Sequence, residues 1–455
     1  MGCYMKNSQV LTLSEKKYTF NILDSIKVEI NSLENPYHIP IDELFTMAAR
    51  INKKRSFLFI SKVLGKHLPI EPNKGLLIAA LLGARYLEMV QGINCREKDR
   101  LLSLFLAGGT FHSSPFIEEK HKPVIIGFAE TATALGHAFF DCFEGAEFFH
   151  TTREEISCWE KPVITFEEEH SHATSHRCYI PLEMIDHKRE IILVDDEITT
   201  GNTALNIIKS IHEKFPRPVY TVVSILDWRS EEYQEKFLRV EQELGIKINV
   251  VSLLSGHVKI HQLKELDNRS NKAGTFRIRG ESIEVVHLGS YFTPSSFSSR
   301  DQLNGLPYLN ETGRFGLKSL ENFLVHQRIS KASEFLSQKR NGVRTLCLGT
   351  GEFMYLPMRL AAEMGSGVYY QSTTRSPIYI ENEEGYGAKF GVNFPNPENE
   401  IIPNFVYNIP PNHYDELFLF FEREVSKEKL EPLIEKLGEL AFQTIKIVFF
   451  SGRQR

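Results

Sequence analysis

Short runs of Val, Ile and Phe alternate along the chain with longer stretches in which apolar residues recur at helical spacing. Apolar runs of strand length bounded by turn residues are the form of strands buried on both faces of a largely parallel sheet. The pattern predicts strands at Ser56 to Ser61, Pro123 to Phe128, Glu190 to Val194, Val219 to Leu226 and Lys247 to Leu254. It predicts helices at Ile41 to Ile51, Gly75 to Met89, Thr131 to Asp141, Thr203 to Phe215 and Glu231 to Leu244. After Gly256 the texture turns polar, and His257 to Gly280, which contains DNRSNKAG, reads as a domain boundary. A second series then begins at Ile283 to Leu288, with strands at Arg344 to Leu348, Gly367 to Gln371, Leu417 to Phe421 and Ile445 to Phe450. The expectation is an α/β protein with a first domain over 20–256, a linker over 257–280 and a second domain over 281–455.

Composition agrees with two domains, since 455 residues at 42% hydrophobic and 24% charged exceed what one core usually supports. A net charge of -5 gives no broad basic field, so neither nucleic acid nor an anionic membrane is expected as the partner. A local anion pocket stays open. Six scattered cysteines without a CxxC pair, and a start MGCYMKNSQV without an apolar core, predict reduced thiols in a cytoplasm. Lys6 stands where a myristoylation signal at Gly2 wants Ser or Thr. No apolar run approaches the roughly 20 residues of a membrane span.

The chemistry concentrates in IILVDDEITTGNTALNIIKSI, which begins at Ile191. Four apolar residues make a buried strand, Asp195 and Asp196 sit at its carboxyl end, and a helix starts near Thr203. In open α/β sheets ligands bind at the carboxyl ends of the strands. The turn Thr199, Thr200, Gly201, Asn202, Thr203 can aim N–H groups and hydroxyls at one point beside the positive end of the helix, which suits a phosphate. The two acids can accept hydrogen bonds from sugar hydroxyls and help hold a hydrated divalent cation. Together these residues describe a ribose 5-phosphate cradle.

Four apolar residues, two acids and a TTG turn resemble the phosphoribosyl-pyrophosphate (PRPP) motif of type I phosphoribosyltransferases. The resemblance implies PRPP with Mg2+, approached through Asp195 and Asp196, and a nitrogenous base as second substrate. Purine salvage enzymes of that class usually carry an acid where this chain has Thr199, so a 6-oxopurine is not the expected base. Gly127, Phe128, Ala129, Glu130 and Thr131, within VIIGFAETATALG, stand where the class places its pyrophosphate loop. Small residues there let N–H groups approach an anion. Glu130 fits such a loop only if magnesium lies between the charges, or if it serves the following helix. In FEEEHSHATSHRCY, His170, His172, His176 and Arg177 stand where the class has a catalytic hood; a metal site and an exposed polar loop remain alternatives.

Further upstream, Lys53, Lys54, Arg55, Lys62, Lys66 and His67 make the amino-terminal segment cation-rich, and SKVLGKH has the form of a ligand loop or of a solvated face. With NPYHIP, LGTGEFMY and TTRSPIY, these motifs make the chain similar, over roughly 30–450, to a two-domain bacterial family from tellurium-resistance and stress gene clusters. That resemblance implies a type I phosphoribosyltransferase-like parallel sheet followed by a Rossmann-like domain named for its Thr-Arg-Ser-Pro (TRSP) motif. It further implies biosynthesis of a nucleoside-like metabolite and, as is common in similar enzymes, a homodimer. In the second domain Gly349 and Gly351 form a turn of phosphate-loop type, and Thr374, Arg375 and Ser376 could hold a carboxylate or phosphate. Arg300 and Arg314 are further candidate anion donors. Two other functions stay in play: a PRPP or nucleotide sensor without turnover, and a metal-dependent hydrolase.

Overall fold

The computed structural model describes residues 16–51, 56–157, 161–167, 175–266, 282–300 and 304–451. The chain opens with a hairpin, β1 (Lys16–Ile22) and β2 (Ile26–Glu34). In β2, Ile26, Val28, Ile30 and Ser32 are buried and the residues between them are not, the alternation of a strand with one wet face. Helix α1 (Ile41–Leu44) lasts one turn before β3 (Phe45–Ala49), which pairs antiparallel with β4 (Phe57–Ser61). The helix expected over Ile41 to Ile51 is thus cut short. Pairing with β4 on one side, and a hydrogen bond from Gly387 N–H to the Met47 carbonyl on the other, override local propensity.

Next come α2 (Pro72–Met89), α3 (Lys98–Ala107), β5 (Val124–Gly127), α4 (Ala132–Phe140) and β6 (Glu147–His150). A two-stranded hairpin, β7 (Ile164–Glu167) and β8 (Ser175–Cys178), precedes β9 (Ile191–Ile198), α5 (Asn202–Lys214), β10 (Val219–Asp227), α6 (Glu231–Leu244) and β11 (Lys247–Gln262). In the main sheet β11, β10, β9, β5 and β6 lie in that order and run parallel. Strand order reverses between β5 and β9, so the crevice that holds ligands in such sheets opens there. Strand β11 continues through Gly256 to Gln262 as the antiparallel partner of β2. Gly256 marks a bulge in that pairing, where a Cβ would stand 2.4 Å from the Asn31 carbonyl oxygen. The polar texture after Gly256 therefore begins as a half-solvated strand.

The second series contains β12 (Ser282–His287), β13 (Leu317–Lys318), α7 (Ser319–Gln338), β14 (Thr345–Gly349), α8 (Tyr355–Glu363) and β15 (Val368–Ser372). A hairpin of β16 (Gly391–Asn396) and β17 (Asn399–Tyr407) follows, then β18 (Glu416–Arg423), α9 (Lys427–Gly438) and β19 (Thr444–Ser451). The sheet order is β12-β19-β18-β14-β15, all parallel, with its own reversal between β14 and β18. The two units share one apolar core and interlock. Strand β13 adds antiparallel to β6 of the first sheet. Between α4, α7 and α8 the His137 ring stacks on Tyr355 at 3.6 Å, and Asp141 accepts hydrogen bonds from Tyr355 and Asn322 at 2.6 and 2.8 Å. Burial pushes His137 down to about 4, so it stays neutral there. No helix among the described residues is long and apolar enough to cross a membrane.

Candidate functional site

A cavity of about 400 Å³ lies at the β5/β9 reversal. Its floor is the carboxyl end of β9, where Ile191 to Val194 are fully buried and Asp195, Asp196 and Glu197 emerge half-buried into the opening. The Asp196 N–H donates to Asp195 Oδ1 at 2.9 Å, which fixes that carboxylate. Beyond it Thr199, Thr200, Gly201 and Thr203 line the cavity. Gly201 has φ +73°, and a Cβ would approach the Phe237 ring to 2.5 Å, so glycine is required for the turn to lie under α6. Asn202 does not line the cavity: it is buried, and its Oδ1 accepts from Lys236 Nζ at 2.5 Å. The side chain of Asn202 anchors the start of α5.

The loop after β5 forms the adjacent wall through Phe128, Ala129, Glu130 and Thr131. Gly127 is set back, because a Cβ there would meet the Ala132 carbonyl oxygen at 2.4 Å; its smallness lets α4 pack on the strand. Two backbone donors expected to face an anion are taken internally. Phe128 N–H donates to the Val194 carbonyl at 3.1 Å, and Ala129 N–H to Thr151 Oγ1 at 2.9 Å. The Glu130 and Thr131 N–H groups remain as the loop's donors at the amino end of α4. The Glu130 side chain is 4% exposed and lies 3.9 Å from Lys66 Nζ and 3.8 Å from Arg375 Nε. Its Oε1 accepts no hydrogen bond from the described residues. Lys66 Nζ donates to Thr131 Oγ1 at 2.6 Å.

The opposite wall comes from the β3–β4 hairpin and the SKVLGKH loop: Arg50, Leu58, Phe59, Lys66 and His67. Phe59 stacks on Trp228 at 5.2 Å, making a flat apolar surface. Burial, then the charges of Lys66 and Arg50, hold His67 well below the usual imidazole range, so it is neutral. Of the six cationic or imidazole residues singled out in this segment, Lys66 and His67 reach the cavity and Lys62 does not; Lys53, Lys54 and Arg55 lie outside the described residues. Arg50 and Arg153 also line it, and neither was singled out from the sequence. Arg50 follows an apolar stretch that reads as helix, and Arg153 lies in a loop between motifs, so neither carries a local signal.

His170 and His172 lie outside the described residues. His176 and Arg177 are on β8 and do not line the cavity. His176 is 1% exposed, stacks on Phe166 at 5.1 Å and places Nδ1 2.8 Å from Thr151 Oγ1, the acceptor of the Ala129 N–H. It props the Glu130 loop from behind. Arg177 pairs with Glu155 at 2.8 Å and donates to the Arg153 carbonyl at 3.1 Å, bracing the segment that carries Arg153. Among the described residues no three His, Cys, Asp or Glu side chains gather into a metal cage.

In the second domain the crevice at the β14/β18 reversal is filled by the protein itself. Arg314 pairs with Glu422 at 2.9 Å and lies 3.8 Å from Glu352; Arg423 pairs with Glu398 at 2.7 Å; both guanidiniums lie over the Tyr308 ring. Tyr308 in turn donates to Glu154 of the first domain. Burial would raise the Glu154 carboxyl, but Arg423 and Arg314 outweigh it and hold the group below the usual range. The opening left beside Gly351 is about 20 Å³, room for a single water rather than a nucleotide. Gly349 packs where a Cβ would meet the Phe353 carbonyl oxygen at 2.7 Å, and Gly351 N–H donates to Thr373 Oγ1. Glu352 reaches across to the first domain, accepting from Thr152 Oγ1 at 2.6 Å and Arg153 N–H at 2.8 Å. Thr374 is fully buried and accepts from Ser376 N–H at 3.2 Å. Arg375 and Ser376 line the main cavity opposite the β9 turn. Arg300 pairs with Glu155 at 3.8 Å at the surface.

A parallel sheet whose reversal point carries a two-acid strand end and a Thr-Gly turn is the architecture of a type I phosphoribosyltransferase-like domain, here followed by a second doubly wound α/β unit. The phosphoribosyl transferase family model matches residues 44–257, and the model for the TRSP domain that lies C-terminal to it matches residues 311–437. The chain belongs to the family in which these two domains follow one another. No curated protein matches it. Among solved structures it is similar to adenine phosphoribosyl transferase from Trypanosoma brucei in complex with AMP, pyrophosphate and ribose-5-phosphate. That match has 12% identity and a TM-score of 0.30, and covers 52% of this chain and 86% of that one. It is also similar to orotate phosphoribosyltransferase from Mycobacterium tuberculosis in complex with inorganic phosphate, at 14% identity, covering 47% and 91%, with a TM-score of 0.23. The corresponding figures for orotate phosphoribosyltransferase from Aeropyrum pernix are 13%, 44%, 78% and 0.21. Likenesses at this level transfer no substrate and no residue role.

Proposed function

We propose that the protein transfers ribose 5-phosphate between PRPP, or a nucleotide, and a ring nitrogen of a base. The observation that carries this reading is the convergence of the Asp195–Asp196 strand end, the Thr199–Thr203 turn and the Glu130–Thr131 loop on one cavity. The 5-phosphate lies against the Thr199 to Thr203 turn at the positive end of α5, and the two aspartates accept the ribose hydroxyls. Leu58, Phe59 and Phe128 offer apolar surface for a flat ring, with neutral His67 and Arg50 beside it. The lone pair of the ring nitrogen forms the new bond to the anomeric carbon while the bonding pair leaves with the pyrophosphate oxygen. Positive charge develops on the ribose between Asp195 and Asp196, and the departing anion meets Lys66 and the Thr131 N–H.

Mg2+ fits this donor set as a companion of PRPP: one or two carboxylates plus substrate phosphates suit it, and Asp195 and Asp196 supply the carboxylates. Bound there, it would neutralise phosphate charge. The proposed role in making a nucleoside-like metabolite, with its link to tellurium resistance, rests on the family resemblance. A sensor without turnover is the second reading, favoured by the Ala129 N–H being spent on Thr151 and by the Glu130 carboxylate at the anion loop. Pyrophosphate release from Mg-PRPP against a panel of bases decides between them. Base-dependent release that Asp195→Asn/Asp196→Asn abolishes is the expected result; tight PRPP binding without release would leave the sensor standing.

A further inference from the structure

We propose that Arg375 of the TRSP domain is a substrate-contacting residue of the first domain's site, binding the leaving pyrophosphate jointly with Lys66; this rests on the transfer reading above. The second domain is then part of the catalytic cavity rather than the holder of a separate nucleotide.

The backbone holds Arg375 against the cavity from both sides. Thr374 N–H bonds to the Phe405 carbonyl at 2.9 Å, and Tyr407 Oη donates to the Ser376 carbonyl at 2.8 Å. Ile51 N–H, at the end of the β3 segment, donates to the Pro377 carbonyl at 3.1 Å, and Tyr379 N–H to the Ala49 carbonyl at 3.0 Å. The wall bearing Arg375 is therefore continuous with the hairpin that carries Arg50, Leu58 and Phe59. A group placed this firmly loses little entropy when it meets a ligand.

The guanidinium is placed but not consumed. Its Nε makes no hydrogen bond to a described residue, and its 3.8 Å approach to Glu130 is beyond hydrogen-bond length. Lys66 stands 3.9 Å from the same carboxylate. Lys66 and Arg375 thus flank the Glu130 carboxylate beside the Thr131 N–H, next to the loop where pyrophosphate departs, and Arg153 lines the same cavity. The planar fork of arginine suits two phosphate oxygens at once. A purely structural arginine would resemble Arg314 or Arg423, which are held in close buried ion pairs at 2.9 and 2.7 Å. Arg375 borders both the main cavity and the opening of about 20 Å³ beside Gly351, and of the two only the main cavity, about 400 Å³, has room for a ligand.

Calorimetric titration of the full chain with magnesium pyrophosphate, Mg-PRPP and ribose 5-phosphate tests this, on the parent, Arg375→Ala and Arg375→Lys. Arg375→Ala should weaken pyrophosphate and PRPP about tenfold to a hundredfold, the worth of a hydrogen bond to a charged group, with ribose 5-phosphate unchanged. Arg375→Lys should recover part of the loss. Parent-like pyrophosphate affinity in Arg375→Ala would overturn the inference while leaving the transferase reading intact. Equal weakening of ribose 5-phosphate would overturn it too, by making Arg375 structural. A parent that binds no PRPP would remove both. If Arg375→Ala does not fold, Arg375→Gln carries the same comparison.

Discussion

Glu352 ties the two domains together at the edge of the cavity, and its removal has a magnitude that can be worked from its contacts. The carboxylate is 4% exposed and accepts Thr152 Oγ1 at 2.6 Å and the Arg153 N–H at 2.8 Å, with Arg314 3.8 Å away. Glu352→Ala leaves two donors without an acceptor, each costing about 1–3 kcal/mol. Arg314 keeps Glu422 at 2.9 Å, so its charge is not stranded. The sum is about 2–6 kcal/mol. Glu352→Gln retains an acceptor for one donor and should lose about half as much. Urea unfolding followed by circular dichroism and by tryptophan fluorescence measures the loss, and Mg-PRPP affinity should fall with it, since Arg153 lines the cavity. A stability change below about 1 kcal/mol in Glu352→Ala would mean that Thr152 and Arg153 do not depend on this carboxylate and have found water or another acceptor.

His67, His137 and His150 are all held below their ordinary range, first by burial, His137 at about 4 and His150 at about 3. Unfolding therefore takes up protons once pH falls below about 6.5, and each histidine should cost about 1.4 kcal/mol of stability per pH unit down to its folded value. Urea midpoints that do not fall between neutral pH and about pH 5 would contradict this. Gly201→Ala puts a Cβ 2.5 Å from the Phe237 ring at φ +73°, and should cost about 1–3 kcal/mol and ribose 5-phosphate binding; a parent-like titration would contradict it. His176→Phe keeps the stack on Phe166 but loses the Thr151 contact, so pyrophosphate affinity should drop with about 1–3 kcal/mol of stability. Unchanged pyrophosphate affinity there would mean the Glu130 loop stands without that prop.

The strand-turn-helix at Ile191 to Thr203 was legible because its chemistry and its fold are written in the same consecutive residues. The parallel core strands were legible for the same reason: continuous apolar runs such as ILV in β9 have no other use. The hairpins were not. The β1–β2 pair does alternate cleanly, but β3 reads locally as helix and becomes a strand through partners at Phe57 to Ser61 and Gly387. Within the site, residue type pointed to the right loops but not to the direction of each group. Ala129 was expected to offer its N–H to an anion and gives it to Thr151; Asn202 turns to Lys236; His176 faces the interior. The Gly349–Gly351 turn has the form of a phosphate loop, yet Glu352, the next residue but one after Thr350, fills the interdomain space. Arg375 was legible as an anion donor but not as a wall of the first domain's cavity, because that depends on contacts more than three hundred residues apart, such as Ile51 with Pro377.

The proposed function requires that Asp195 to Thr203 cradle ribose 5-phosphate. Calorimetric titration of Mg-PRPP into the parent and into Asp195→Asn/Asp196→Asn tests it most directly. Saturable binding by the parent, weakened about tenfold or more in the double variant, is the predicted result. A parent that takes up no PRPP, or a double variant that binds it as tightly, would contradict the account.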